Sequence, residues 1–342
     1  ATATSDNWKV KTYVRALNLT SCNPAAENPV YTDSNGVTVI ARASAVVGQS
    51  YQVDGTGASY LVVDNTSLAN KVNAYEDVTL VVTTKVTTLD SLFFNKSTFN
   101  DNISTWDVSN VNSMSAVFFN ATAFNQDISK WNVTNVTNML GMFRGAAAFN
   151  IDISSWDVSS VTTMNRIFEA ATVFDQPLNT WAISGVTDMN RAFMDAGAFN
   201  QDISSWNTTG VLDMSEMFSG ATSFNQPLNA WDVNDVSDME NMFMGATVFN
   251  QPLNTWVVSS VNKMLLMFRN ATAFNQDISG WDVGNVTNMI SMFSGATSFN
   301  QNLGSWDMSS VTNVSGMFGL TGGSEAVTLS TSNYDAILIG WA

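Results

Sequence analysis

WDVSNVNSMSAVFFNATAFNQDISK, residues 106–130, returns 175 residues later as WDVGNVTNMISMFSGATSFNQNLGS, residues 281–305. Tryptophan falls at 106, 131, 156, 181, 206, 231, 256, 281 and 306, a strict 25-residue step. Phenylalanine keeps the same step from Phe93 to Phe318 and again from Phe99 to Phe299, so 19 of the 21 phenylalanines stand in two ladders. A globular core tolerates drift in loop length. A stack of coils requires each one to superpose on the last, so a period without insertion or deletion indicates a solenoid.

Within one period an apolar triad recurs at i, i+3 and i+5, as in Ile103, Trp106, Val108 and in Ile278, Trp281, Val283. That spacing matches the short strand of a leucine-rich repeat. Met114, Val117, Phe118 and Ala121 follow at i, i+3, i+4, i+7, which predicts a two-turn helix with one buried face. Asn112, Thr137 and Thr162 stand where an N-cap belongs. Asn120, Gly145, Gly220, Gly245, Asn270 and Gly295 stand where a left-handed C-cap belongs. The coil closes through Phe124, Asn125 and Gln126. The next position alternates between Asp (127, 152, 202, 277) and Pro (177, 227, 252), both favoured in the first turn of a helix, so a single-turn segment is expected there.

The consensus WDVSNVTNMxxMFxxATxFNQDISS resembles the BspA-like leucine-rich-repeat surface proteins of bacteria. The resemblance runs over residues 81 to 318, with Thr208, Ala182 and Val314 as departures. It implies a right-handed α/β solenoid of about ten 25-residue coils, secreted or on a cell surface, acting through protein or glycan contacts. It supplies no ligand and no catalytic residue.

The chain divides into three. Residues 1–80 lack the repeat and hold strand-like runs broken by Ser34-Asn35-Gly36 and Asp54 to Gly57, so a mainly β capping module is expected, with a covering helix over Ser67 to Tyr75. Residues 81–318 form the solenoid. Residues 319–342 carry a capping box at Ser332 and Asp335, then Tyr334, Ile337, Leu338 and Trp341 along one face, which predicts a C-terminal capping helix.

Composition narrows the function. The net charge of -16 opposes binding of a phosphate backbone, so no nucleic-acid partner is expected. With no histidine and one cysteine, zinc sites and imidazole relays fall away. No apolar run reaches the roughly 18 residues of a membrane span, and the opening ATATSDNWKVK lacks a signal peptide's apolar segment, so a soluble, mature chain without membrane insertion is expected. Cys22 ends a Leu19-Thr20-Ser21-Cys22 box resembling a lipoprotein acylation site, but the cations before it favour a buried free thiol. Eleven N-x-S/T sequons arise mostly from the repeat itself.

The Trp, Phe and Met ladders occupy the periodic apolar positions, so they are read as core and not as sugar-stacking platforms. Asn100, Asn125, Asn150 and their successors are read as an amide ladder that satisfies turn backbone. Candidate binding residues lie elsewhere. Asp107, Asn132, Asp157, Asn207 and Asp232 occupy the strand position between Trp and Val, facing away from the core. Asp282 and Asp307 are the one adjacent carboxylate pair in that column, a weak calcium candidate in a chain otherwise expected to need no cofactor. Nothing singles out two carboxylates as an acid–base pair, so no enzyme is expected. Leu265 and Ile290 should stack on neighbouring coils with Leu266 beside them, an outward apolar patch. The segment Trp8, Lys9, Val10, Lys11 to Arg15 concentrates cations on one strand and is a candidate for adding to a neighbouring sheet edge. The expected role is a non-enzymatic, adhesin-like binder of surface protein or glycan. The competing reading is a self-associating structural subunit, or an accessory subunit of an outer-membrane surface complex.

Overall fold

The computed structural model describes residues 27–53, 57–319 and 326–342; the candidate assembly strand from Trp8 to Arg15 and Cys22 lie outside these residues. The lead-in opens with a hairpin, β1 (Val30–Thr32) antiparallel to β2 (Val39–Ala41). Its turn is the Ser34-Asn35-Gly36 segment, closed by Asn35 Oδ1 accepting from the Val37 and Thr38 N–H groups. β3 (Ser50–Gln52) pairs antiparallel with β4 (Ser59–Asp64), and β4 pairs parallel with β5 (Val81–Lys85). The crossover between β4 and β5 is α1 (Asn65–Asn73), the covering helix expected from Ser67 onward. Asp64 and Ser67 form its capping box, and Leu68 and Val72 press its apolar face onto the first coil.

Twenty-five residues before Trp106 stands Val81, the first residue of β5, so the lead-in sheet doubles as the first rung of the stack. The indole N–H of Trp106 donates to the Val78 carbonyl at 3.1 Å, as that of Trp131 does to Ile103 at 3.3 Å and that of Trp306 to Ile278 at 3.1 Å. No ladder tryptophan is more than 4% exposed. Rings stack between coils and within them: Trp131 and Trp156 lie 6.5 Å apart, Phe118 and Phe143 5.6 Å, and Phe118 and Phe124 of one coil 3.8 Å. One continuous core runs from Val63 to Ile337.

The expected strand at Ile103 to Val108 and helix at Met114 to Ala121 do not form, and the α/β description is corrected accordingly. Among the described residues the helices are α1 and α2 (Thr331–Gly340), and the coils are joined by nine isolated parallel bridges running from Thr88 to Asn313. In the segment read as a helix, alternate peptides point along the stack. Met114, Ala116, Phe118 and Asn120 donate to the carbonyls of Asn138, Leu140, Met142 and Arg144 of the next coil at 2.9, 2.8, 2.9 and 2.7 Å. The intervening peptides close tight turns, such as Met142 onto Met139 and Ala146 onto Phe143. Consecutive turns carry Met114, Val117, Phe118 and Ala121 to one side as a helix would, so apolar spacing alone does not separate the two. The expected C-cap residues do adopt left-handed backbone, φ 52° at Asn120 and 66° at Gly145, but they end turns.

The amide ladder is present. Asn100 Oδ1 accepts from the Asn125 N–H at 2.9 Å and from Gln126 Nε2 at 3.0 Å, and the pattern repeats coil after coil. Asp175 replaces one asparagine without breaking it, because the ladder uses only the Oδ1 acceptor. At the far end α2 imitates the next coil. Asn333 Nδ2 reaches Asn300 Oδ1 at 3.0 Å, and the Trp341 indole donates to Leu303 O at 2.9 Å. Its N-cap is Ser330, two residues before the expected box, and Ile337 and Trp341 form the packed face while Tyr334 and Leu338 are exposed.

Candidate functional site

The acidic column between Trp and Val is mostly internal architecture. Asn132, Asp157, Asn207 and Asp232 each turn Oδ1 onto the backbone N–H two residues ahead, that of Thr134, Ser159, Thr209 and Asn234 respectively. These are Asx-turns, which explains why Asp and Asn interchange there. Asp107 was expected to face away from the core but is buried: the hairpin covers it, with the Val39 N–H on Thr105 O at 2.8 Å and the Thr83 hydroxyl on Asp107 O at 2.8 Å. Hydrogen bonds from Ser159 and Ser309 hold the Asp157 and Asp307 carboxyls below their ordinary range. Asp282 and Asp307 flank Gly284, yet each Oδ1 serves its own turn, through Gly284 and Ser309. Among the described residues no three His, Cys, Asp or Glu side chains are grouped to hold a metal ion.

The segment after each bridge residue behaves differently. Met114, Val117 and Phe118 join the core, and the positions of Ser113, Ser115, Ala116 and Phe119 lie on the other side of the coil, where Ser113, Ser115 and Phe119 are partly exposed and Ala116 is covered by its neighbours. In the next coils these positions are Asn138, Leu140, Gly141, Arg144, then Thr163, Asn165, Arg166, Glu169, then Asp188, Asn190, Arg191, Met194. Some other outward positions repeat a narrow set of small residues. The column of Ser109 holds only Ser, Thr, Asn and Gly, and that of Thr122, from Ser97 to Thr297, only Thr, Ser, Ala and Gly. Every arginine and every glutamate between residues 81 and 318 stands on the variable face.

These side chains engage one another across coils. Arg144 meets Glu169 at 3.0 Å, Arg166 approaches the same carboxylate at 3.7 Å, Arg191 meets Glu216 at 2.6 Å and Lys263 meets Asp238 at 2.6 Å. The hydrogen bond to Glu216 raises the Arg191 pKa, and that to Asp238 raises the Lys263 pKa. Desolvation, then the neighbouring Asp238, raises that of Glu240. Phe94 and Phe119 stack at 4.5 Å, with the Arg144 guanidinium 4.6 Å above the Phe119 ring. Where Gly141 lacks a side chain, Phe119, Leu140, Arg144, Asn165 and Arg166 enclose a groove of about 310 Å³. Farther along, Leu265, Leu266 and Ile290 lie together, each half-buried. The face is therefore banded, from aromatic through arginine and carboxylate to apolar.

The sequence reading reached one column of this face along its length, through Leu265 and Ile290, and the Ala116 column only at Leu266; it missed the columns of Ser113 and Phe119. The missing signal was present in the chain itself, since copy-to-copy variation in the columns of Ser113, Ala116 and Phe119 is as wide as in that of Ser115. The stacked aspartates Asp188, Asp213 and Asp238 also escaped notice, because the column read for adjacent carboxylates was the one beside tryptophan.

A family described as Mycoplasma protein of unknown function, DUF285, matches the chain three times in tandem, over residues 63–181, 169–277 and 249–330. The chain belongs to the DUF285 family. Its matches begin within β4 and extend to the edge of α2, so the DUF285 repeat and the stacked coils are the same feature. No curated protein and no solved structure matches the chain.

Proposed function

We propose that this DUF285 chain is a non-enzymatic recognition protein of a bacterial cell surface or its surroundings, which binds a protein or glycan partner along the variable face of the solenoid. One observation carries the reading: every arginine and every glutamate between residues 81 and 318 falls in neighbouring columns of one face, where the side chain changes in size and charge from coil to coil. Identical coils make identical surfaces, so selectivity resides where coils differ. The consensus further supports kinship with the BspA-like leucine-rich-repeat surface proteins. Net charge and the absence of histidine support a role without nucleic acid or acid–base chemistry. A structural subunit of an assembly is the second reading, favoured by Tyr334, Leu338 and Ile339 exposed together on α2.

The test is binding of three proteins to an array of glycans and surface proteins. They are the parent, a face variant (Leu140→Ser, Arg166→Ser, Glu216→Ser, Leu265→Ser) and a control on the small-residue column of Thr122 (Thr122→Ala, Thr222→Ala, Thr272→Ala). A partner bound by parent and control should be lost by about tenfold or more in the face variant. Equal retention by the face variant, or loss only in the control, refutes the assignment. Self-association of the parent with no array partner favours the assembly reading.

A further inference from the structure

The second phenylalanine ladder starts at Phe99, and one period earlier the chain has Ala74. Phe124 has a ring on either side, Phe99 at 5.9 Å and Phe149 at 5.9 Å. Phe99 has Phe124 on one side and Phe93 of its own coil at 3.7 Å, and among the described residues no ring stacks on its remaining side. The consequence shows in burial: Phe124 through Phe299 are fully enclosed, while Phe99 is partly exposed. The other end of the ladder has no such defect, since Phe299 is 0% exposed.

A cavity of about 140 Å³ opens beside Phe99, between the lead-in and the first coil. Its apolar wall is Val72, Val78, Phe93 and Phe99. Tyr75 follows Ala74 but does not fill the cavity. Its backbone is left-handed at φ 57°, the residue is 80% exposed, and its ring lies at the rim with Lys96 Nζ 3.7 Å from the centroid.

We propose that this cavity binds a single aromatic side chain of a partner polypeptide, which supplies the ring that Ala74 does not. Size selects one ring, because a cavity of about 150 Å³ holds a benzene molecule. The wall selects an aromatic over an aliphatic group, since stacked ring pairs gain attraction beyond the area they bury. The rim selects a peptide-borne ring: Glu76, Lys96 and Asp101 surround the opening, the polar border that a solvated backbone needs around a buried aromatic anchor. The site is at the end of the stack, apart from the variable face, and stands or falls independently of the proposed function.

The probe is N-acetyl-4-fluorophenylalanine methylamide, titrated against the full chain with its fluorine NMR linewidth as the readout. Saturable broadening is expected, resistant to competition by N-acetyl-leucine methylamide and tighter than that of 4-fluorotoluene. Val72→Phe, which places a ring in the cavity, should abolish it. Phe99→Leu, which removes the stacking surface, should weaken it by about two- to tenfold. Thermal unfolding of each variant establishes that it is folded, and if Val72→Phe is not, Phe99→Leu decides. Absence of saturable broadening, equal competition by the leucine amide, equal binding of 4-fluorotoluene, or unchanged binding by the folded variants overturns the proposal.

Discussion

Single residues in this protein answer to the coil above and below more than to their chain neighbours. Gly145 shows how. It has φ 66°, and a Cβ placed on it would collide with Asn120 Oδ1 of the preceding coil, whose amide nitrogen is bonded to Asn95 at 3.0 Å. Gly210 has φ 85° and open space around the same direction. Gly145→Ala should therefore lower stability by about 1–3 kcal/mol, the backbone penalty plus displacement of the amide. Gly210→Ala should cost only the backbone part, about 1 kcal/mol. Urea unfolding midpoints compare the two, and equal losses would show that the contact between coils contributes nothing. The glycine was legible in the sequence as a left-handed position; its partner was not, because Asn120 is 25 residues away.

Among the elements, the caps decide whether the stack ends cleanly. α2 takes the place of a coil with a different backbone: Ser330 N–H and Asn333 Nδ2 both reach Asn300 Oδ1, and Trp341 completes the indole ladder. Trp341→Ala removes that hydrogen bond and the half-buried ring. A fully buried tryptophan costs about 3–5 kcal/mol when truncated, so roughly 2 kcal/mol is expected here. In a stack where each coil contacts only its neighbours, the loss should stay local. Amide hydrogen exchange should speed up in residues 281–318 and remain slow near Trp131; uniform acceleration would mean that the solenoid unfolds as one unit. A C-terminal helix was readable from its spacing, but the face it packs was not. Tyr334 and Leu338 fit the predicted stripe and are nevertheless exposed, because the hydrogen-bonding groups of the last coil set the docking angle.

Across the whole molecule the Asx-turns make a shared response to acid. Asp127, Asp152, Asp157, Asp202 and Asp277 all have carboxyls held below the ordinary value by hydrogen bonds from the serine two residues ahead. A lowered folded-state pKa means the contribution is whole above the unfolded value, near pH 4, and drains as pH falls through the folded value. Protonation also relieves the repulsion of the -16 chain, an effect of opposite sign. The two are separated by Asp152→Asn, Asp202→Asn and Asp277→Asn together, which keep the Oδ1 acceptor and remove the titration. Melting curves from pH 7 to pH 2 should show a smaller acid loss in the triple variant than in the parent. An equal loss would place acid sensitivity outside these turns.

The sequence by itself determined the period, the burial of the Trp, Phe and Met ladders, the amide ladder at Asn125 and its equivalents, and the presence of helices at the two ends. All of these follow from side-chain type repeated at fixed spacing. Only the tertiary structure decided that the Met114–Ala121 segment is a run of turns, that Asp157 and its equivalents are turn acceptors, and that Asp107 is covered. The physical reason is the location of the partners. Apolar spacing records which way a side chain faces, but a peptide N–H can be satisfied four residues back or, as for Met114 and Asn138, 24 residues ahead, and that choice is made when the coils stack.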